Sequence, residues 1–239
     1  MADAVLILGI ETATQQVSVA IGGHEGVIGL FETSRGRRHA ETLVPAIDFL
    51  CDRADIGLED IAVVAVDVGP GLFTGMRVGL ATAKALALAL RVPMIGISSL
   101  DLLAFPHRRA DRLVVPVVDA RKDEVFYAMY RPVPGGIQQV MTPRAASVDE
   151  LVADLLANSD DALVVGDGAV RYHDRIVDEI RCEFADEAYP SARWLVQLAH
   201  PRALREEWSQ PADIQPLYLR PPDAEINWTT RAGTAGARP

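Results

Sequence analysis

Cysteine is scarce in these 239 residues: only Cys51 and Cys182 occur, far apart and in no CxxC pair. That excludes a disulfide scaffold and suits a reducing, cytoplasmic setting. Histidine is equally thin. His24, His39, His107, His173 and His200 form neither HExxH nor HxxxH, and neither cysteine has a ligand neighbour, so no metal centre is expected. Basic charge is outweighed, 23 Lys and Arg against 33 Asp and Glu, for a net charge of −10. This excludes nucleic-acid binding by bulk electrostatics, which rests on Lys and Arg neutralising phosphates. Long apolar runs are missing too. The most apolar stretch, Val78 to Leu90, is interrupted by Lys84 and is too short to cross a bilayer. The opening MADAVLILGI has no basic segment and no cleavage site, so it is expected to be a buried strand and not a signal peptide. No membrane partner is expected.

What remains is an ordinary globular composition, 49% hydrophobic and 23% charged, enough for one large domain or two packed lobes. Val5 to Ile10, Val17 to Ile21 and Val27 to Phe31 read as strands, the last two joined by a turn at Gly22 to Gly26. Leu43, Ile47 and Leu50 then keep helical spacing, with Pro45 expected to delay or kink that helix. Ile61 to Val68 reads as a buried strand, and Thr74 to Leu90 as a long helix ended by Val92-Pro93. After the charged link HRRADR the plan repeats. Val114 to Val118 and Val125 to Tyr130 are strands, Ser147 to about Leu156 is a helix with Asp149 and Glu150 in its first turn, and Ala162 to Val165 is a strand before Gly166-Asp167-Gly168. Glu11 and Asp119 lie 108 residues apart, as do Val17 and Val125, and Ala40 and Val148; the later strands, at 62 and 162, are 100 apart. The expectation is a duplicated β-β-β-α-β-α unit: an N-terminal lobe over 1–100, a C-terminal lobe over 101–220 and a tail over 221–239. A further helix is expected over Ser191 to Ala199.

Three motifs could carry chemistry. At Gly9-Ile10-Glu11-Thr12-Ala13-Thr14 an acid leaves a buried strand and enters a Thr-rich hairpin turn. Such a turn offers N–H groups and hydroxyls to a phosphate, while the acid can hold a metal ion or water; an ordinary hairpin with local Thr bonds fits equally. Asp119 holds the matching place in the second half, so the two acids would face one cleft as a phosphate clamp. The candidate nucleotide-binding residues are Glu11, Thr12, Thr14, Gly69, Gly71, Asp119, Gly166 and Gly168. The second motif, Gly69-Pro70-Gly71-Leu72-Phe73-Thr74-Gly75-Met76-Arg77, joins a strand to a helix N-terminus. It suits an anion or a tight turn needing positive φ. It is neither a Walker loop nor the dinucleotide fingerprint. On the helix that follows, Gly75, Gly79, Ala83 and Ala87 recur every four residues. This third motif would admit a helix of another subunit, or the chain's own sheet, at close range. Arg35, Arg37 and Arg38 read as a solvated loop in preference to an RNA or acidic-partner contact. No G-x-S-x-G elbow and no nucleophile–base pair is present.

Read in order, Ile10-Glu11-Thr12-Ala13-Thr14, His39-Ala40-Glu41-Thr42-Leu43-Val44-Pro45, the GPGLFTGMRVG run from Gly69 to Gly79, Val118-Asp119-Ala120-Arg121-Lys122-Asp123-Glu124-Val125-Phe126 and Tyr218-Leu219-Arg220 resemble the bacterial TsaB (YeaZ-like) family over about residues 5–220. That family is the dimerisation subunit of the machinery that makes threonylcarbamoyladenosine in tRNA. The resemblance implies an α/β chain with the actin-like ATPase (ribonuclease H-like) fold in two duplicated lobes. It implies a non-catalytic role, scaffolding and activating a TsaD-like catalytic subunit that transfers threonylcarbamoyl from threonylcarbamoyl-adenylate to the adenosine beside the anticodon. TsaD carries a metal-binding histidine pair; the corresponding helix here offers only His39. The implied partners are the TsaD-like subunit, a TsaE-like ATPase across that pair, a second copy when the chain is alone, and tRNA indirectly. No cofactor is implied to bind this chain tightly, with ATP or ADP placed at the subunit junction and the chain's own cleft vestigial. The implied interface is the helix after His39 and the helix after GPGLFTG, with His39, Leu43, Ile47, Thr74, Gly75, Met76, Arg77, Gly79, Leu80, Ala83 and Ala87 as its residues. Two positions depart from the family: Glu11 stands where many members have Asp, and Leu72 where many have Ser. The alternative is a free-standing kinase or ATPase of the same superfamily, with Glu11 and Asp119 binding Mg–ATP. Against it, 239 residues leave little room for substrate-closing insertions. A peptidase would need a nucleophile or metal pair that the sequence lacks.

Overall fold

Ile7, Leu8 and Ile10 are wholly buried because the strand that carries them is covered on both faces. It is the centre of one of two five-stranded sheets in the computed structural model, which describes residues 5–34, 38–158 and 161–220. The first sheet has β1 (Ile7–Glu11), β2 (Val17–Gly23), β3 (Gly26–Thr33), β4 (Val63–Asp67) and β5 (Met94–Ile97), in the order β3-β2-β1-β4-β5. β1, β2 and β3 pair antiparallel, whereas β1–β4 and β4–β5 are parallel. Parallel neighbours need crossovers, supplied by α1 (His39–Ala54) and α2 (Phe73–Leu90). The second sheet has β6 (Leu113–Arg121), β7 (Glu124–Val133), β8 (Gly136–Ser147), β9 (Ala162–Val165) and β10 (Cys182–Phe184), in the order β8-β7-β6-β9-β10. Its pairing directions are the same. The duplication expected from the sequence is therefore present strand for strand.

Alternation along the strands decides what covers each face. Leu8, Ile10, Val19 and Val64 point to α1 and α2, which answer with Leu43, Ile47, Leu80 and Ala83. The opposite face, with Ile7, Ala20 and Ala65, is closed by Leu195, Val196 and Ala199 of α7 (Ala192–Leu204). Gly9 permits that approach, since a Cβ there would lie 3.0 Å from the Ala192 carbonyl oxygen. In the second sheet, α4 (Val148–Asn158), α5 (Asp167–Arg171) and α6 (His173–Val177) cover one face through Leu151, Leu155, Ala169 and Ile176. Leu100 and Leu103 of α3 (Ser99–Ala104) cover the other.

Each lobe thus lends a helix to its neighbour: α3 follows the first sheet and packs on the second, and α7 follows the second and packs on the first. The division at 100/101 matches the sheets but not the helices. Residues 101–220 are not one unit, because α7 belongs to the first core. The chain beyond it returns there as well, through a Ser209–Met94 backbone bridge and a Leu217 N–H donated to the Val68 carbonyl at 2.7 Å. α1 begins at His39 and continues unbroken past Pro45, which is exposed. By length and composition α2, with mean hydropathy 1.2 over 18 residues, could cross a membrane; its apolar side is what packs on β4 and β1. Arg35, Arg37 and the expected tail 221–239 lie outside the described residues. Arg38 is exposed beside Glu41, at 3.8 Å.

Candidate functional site

The ends of β1 and β4 bring two carboxylates together. Ile10 pairs with Val66 in parallel register, so Glu11 and Asp67 leave the sheet side by side, at 0% and 2% exposure. Burial, then the charge of Asp67, pushes the Glu11 carboxyl well above its ordinary pKa. Burial raises Asp67 to about 7, opposed by hydrogen bonds from the Gly69 N–H and the Ser99 hydroxyl. Glu11 uses one oxygen to accept from the N–H groups of Ala13 (2.7 Å) and Thr14 (3.3 Å). Its other oxygen, Oε2, is buried without a hydrogen-bond partner. In such surroundings the neutral acid is favoured, so a proton on Glu11 relieves the pair.

Much of the hairpin turn after Glu11 is hydrogen-bonded from within. The Thr12 hydroxyl donates to the Gly75 carbonyl (2.8 Å), the Ala13 carbonyl accepts from the Leu72 N–H (2.6 Å), and His39 Nε2 donates to the Thr14 carbonyl (2.8 Å). The start of α2 is seated directly on this turn. A Cβ at Gly71 would run into the Ala13 carbonyl, one at Gly75 into the Thr12 carbonyl, and one at Gly79 into the Thr12 hydroxyl. These glycines serve backbone contact inside the chain. The second lobe repeats the device. Asp119 accepts from the Arg121 N–H (2.9 Å), its Oδ2 lies 3.2 and 3.3 Å from the guanidinium groups of Arg121 and Arg171, and its own N–H donates to Asp167. Gly166, at φ +113°, and Gly168 sit against Val117. Between residues 70–76 and the turn at Asp119 lies a cavity of about 200 Å³, lined also by Leu217 to Arg220. Small-molecule sites begin near ~300 Å³. Of the candidate N–H groups, those of Thr14, Gly69, Asp119 and Gly166 already donate within the chain. Among the described residues no group of three or more His, Cys, Asp or Glu could hold a metal ion.

The candidate interface divides sharply. His39, Leu43, Ile47, Gly75, Met76, Gly79, Leu80, Ala83 and Ala87 are all buried in the chain's own first lobe; only Thr74 and Arg77 are exposed. The reading of the Gly75–Gly79–Ala83–Ala87 stripe as subunit surface is corrected here: its small side chains let α2 lie tight on Thr12 and Ile10. The outward side of the α1/α2 layer is a different set, with Val44 58%, Phe49 52% and Leu88 66% exposed, and Ala81 and Ala85 also exposed on α2. At its end Arg77 stacks on Phe73 at 3.8 Å and donates to the Tyr218 hydroxyl at 3.3 Å. Sequence reasoning missed Asp67 and Ser99. The signal for Asp67 was an acid ending a buried strand beside a glycine-rich loop, as at Glu11; Ser99 gave none.

A family model described as TsaD, tRNA N6-adenosine threonylcarbamoyltransferase, matches residues 24–228. The TsaB protein of Escherichia coli K12, a tRNA threonylcarbamoyladenosine biosynthesis protein, is 34% identical over 68% of this chain and 71% of its own length. This chain belongs to the TsaB family. The TsaB of Bacillus subtilis 168 is 27% identical over 93% of this chain and 97% of its own. A solved structure from Pseudomonas aeruginosa, described as similar to the peptidase YeaZ, superposes with TM-score 0.80 at 27% identity, covering 90% of this chain and 99% of that one. A second, YeaZ from Pseudomonas aeruginosa, gives TM-score 0.76. The two-lobed actin-like ATPase fold is thereby established, and at 10% identity and TM-score 0.51 it extends to a dehydratase activator from Clostridium difficile solved with bound ADPNP. This chain thus has the two-lobed frame of these structures, with hydrogen bonds inside both of its turns.

Proposed function

We propose that this chain acts in the formation of threonylcarbamoyladenosine in tRNA as a non-catalytic subunit that docks and activates a TsaD-like catalytic subunit. The relatives named TsaB are described as proteins of this biosynthesis. The observation that carries the non-catalytic reading is the turn at Glu11 to Thr14, where the N–H groups of Ala13 and Thr14 and the hydroxyl of Thr12 are already engaged by the chain itself. The docking face is the outward side of α1 and α2, with Val44, Phe49 and Leu88 as its apolar contacts and Thr74 and Arg77 at its rim. Isolated apolar side chains on a surface mean little, but several on one helix layer suit a partner. Nucleotide and the TsaE-like ATPase belong, in this reading, at the junction with the partner, and a second copy of the chain competes for the same face.

The test mixes the purified chain with the TsaD-like protein of its own source. A single species of summed mass in solution is expected, and threonylcarbamoyl transfer to tRNA only in the mixture. Equal transfer by the TsaD-like protein alone overturns the proposal, as does turnover of ATP by this chain alone that Glu11→Gln abolishes.

A further inference from the structure

A second pocket, of about 300 Å³, opens on the other side of the lobe junction, where α3, α7 and the β7–β8 hairpin meet. It has no part in the docking face or the two turns. Its wall is apolar, with Ile97, Phe105, Ile137 and Leu198. Phe105 is held from behind, edge-on to Trp194 at 5.8 Å and stacked under the Arg108 guanidinium at 4.3 Å.

Two opposite charges face this apolar space. Asp101 is fixed by the Tyr130 hydroxyl, which donates to Oδ1 at 2.7 Å and itself accepts from Gln139 Nε2 at 3.2 Å. Arg202, on α7, donates through Nη1 to the Gly96 carbonyl at 3.1 Å. Each side chain is thus anchored by one atom while Asp101 Oδ2 and Arg202 Nε and Nη2 make no hydrogen bond or ion pair among the described residues, and the two are not paired with each other. Glu207, whose carboxyl is held low first by its bond from Arg205 and in smaller part by the Arg202 charge, is bonded to Arg205 at 2.6 Å. Half-buried opposite charges that share a pocket without meeting would ordinarily pair or turn to water. Here each is anchored separately, Asp101 by Tyr130 and Arg202 by the Gly96 carbonyl, in a pocket with apolar walls.

We propose that this pocket binds a free α-amino acid with an aliphatic side chain: its ammonium to Asp101, its carboxylate to Arg202, and its side chain among Ile97, Ile137 and Leu198. A guanidinium is the preferred partner for a carboxylate because its donors match the two oxygens. The volume is at the small end of ligand sites and the position, at a junction of lobes, is a usual one. The bound molecule would brace α3 against α7, the two helices that the lobes exchange. The proposal does not rest on the role in tRNA modification, and either can fail alone.

The test titrates the full chain with L-leucine by calorimetry, alongside N-acetyl-L-leucine, which lacks the ammonium, and L-leucinamide, which lacks the carboxylate. Saturable binding of leucine alone is expected, weakened at least about tenfold in Asp101→Asn and in Arg202→Gln, since each removes a hydrogen bond to a charged group. Asp101→Asn keeps an acceptor for Tyr130, and thermal melting confirms that it folds. No binding of leucine at millimolar concentration overturns the proposal, and so does binding that the blocked analogues share or that Asp101→Asn leaves unchanged.

Discussion

Gly79→Ala separates the two roles open to the small-residue stripe of α2. On a free helix surface the change would stabilise the protein by about 0.8–1 kcal/mol, the difference in helix propensity. In this structure the added methyl group would overlap Thr12 Oγ1, with Thr12 Cβ 3.4 Å away. Thr12 is only 2% exposed, and its hydroxyl donates to the Gly75 carbonyl at 2.8 Å. Making room means turning that hydroxyl aside. A buried donor and acceptor left unpaired cost about 1–3 kcal/mol, and an off-rotamer χ1 a further ~0.5–1.5 kcal/mol. Against the propensity gain the net loss is about 1–3 kcal/mol, or several degrees in Tm for a chain of this size. Differential scanning calorimetry reads it directly. Thr12→Ala removes the obstructing oxygen, so Gly79→Ala should cost less in that background, with a coupling of about 0.5–3 kcal/mol. Gly75→Ala, whose methyl group would meet the Thr12 backbone carbonyl, should find no such relief. A Gly79→Ala protein that melts at or above the wild-type temperature, with effects additive to Thr12→Ala, would refute the internal packing and return the stripe to the surface.

Three further outcomes follow from the same geometry. Asp67 binds its proton far more tightly folded (pKa about 7) than at its ordinary value of 3.8, so its contribution to stability falls as pH rises from about 4 to 7; Asp67→Asn should flatten that part of the stability–pH curve in denaturant titrations, and an unchanged slope would disprove the assignment. Glu11→Gln keeps an acceptor for the Ala13 and Thr14 N–H groups, so it should melt like the wild type near pH 5 and above it near pH 8, with tRNA modification by the mixture unaltered; loss of modification by a well-folded variant would give Glu11 a reactive role. Leu88→Asp, 66% exposed on α2, should change stability by no more than about 0.5 kcal/mol yet weaken assembly with the TsaD-like partner at least about tenfold, while Leu204→Asp, 61% exposed on α7, should leave assembly intact; equal effects in gel filtration would place the face elsewhere.

The sequence carried the frame of this protein because the frame is made of local signals. Buried strands such as β1 and β6 are unbroken apolar runs, and the spacing between Glu11 and Asp119 survives in both lobes as matching turns. The short edge strands β5 and β10 are poorly legible, being 4 and 3 residues long. The exchange of α3 and α7 is invisible in principle, because an amphipathic helix records that it has an inner face and not which sheet receives it. The stripe on α2 failed for the same reason. Its period was read correctly, but small residues every four positions state only that something approaches closely, and both a foreign helix and the chain's own turn satisfy that. What decides between them is the hairpin after Glu11, 64 residues earlier than Gly75, whose carbonyl and hydroxyl groups stand where glycine Cβ atoms would be. The same contact occupies part of the start of α2: the Leu72 N–H donates to the Ala13 carbonyl, and the Thr12 hydroxyl to the Gly75 carbonyl. One packing event therefore removes the stripe from the surface, and under the proposed function it is the outward side of α1 and α2 that is left as the docking face.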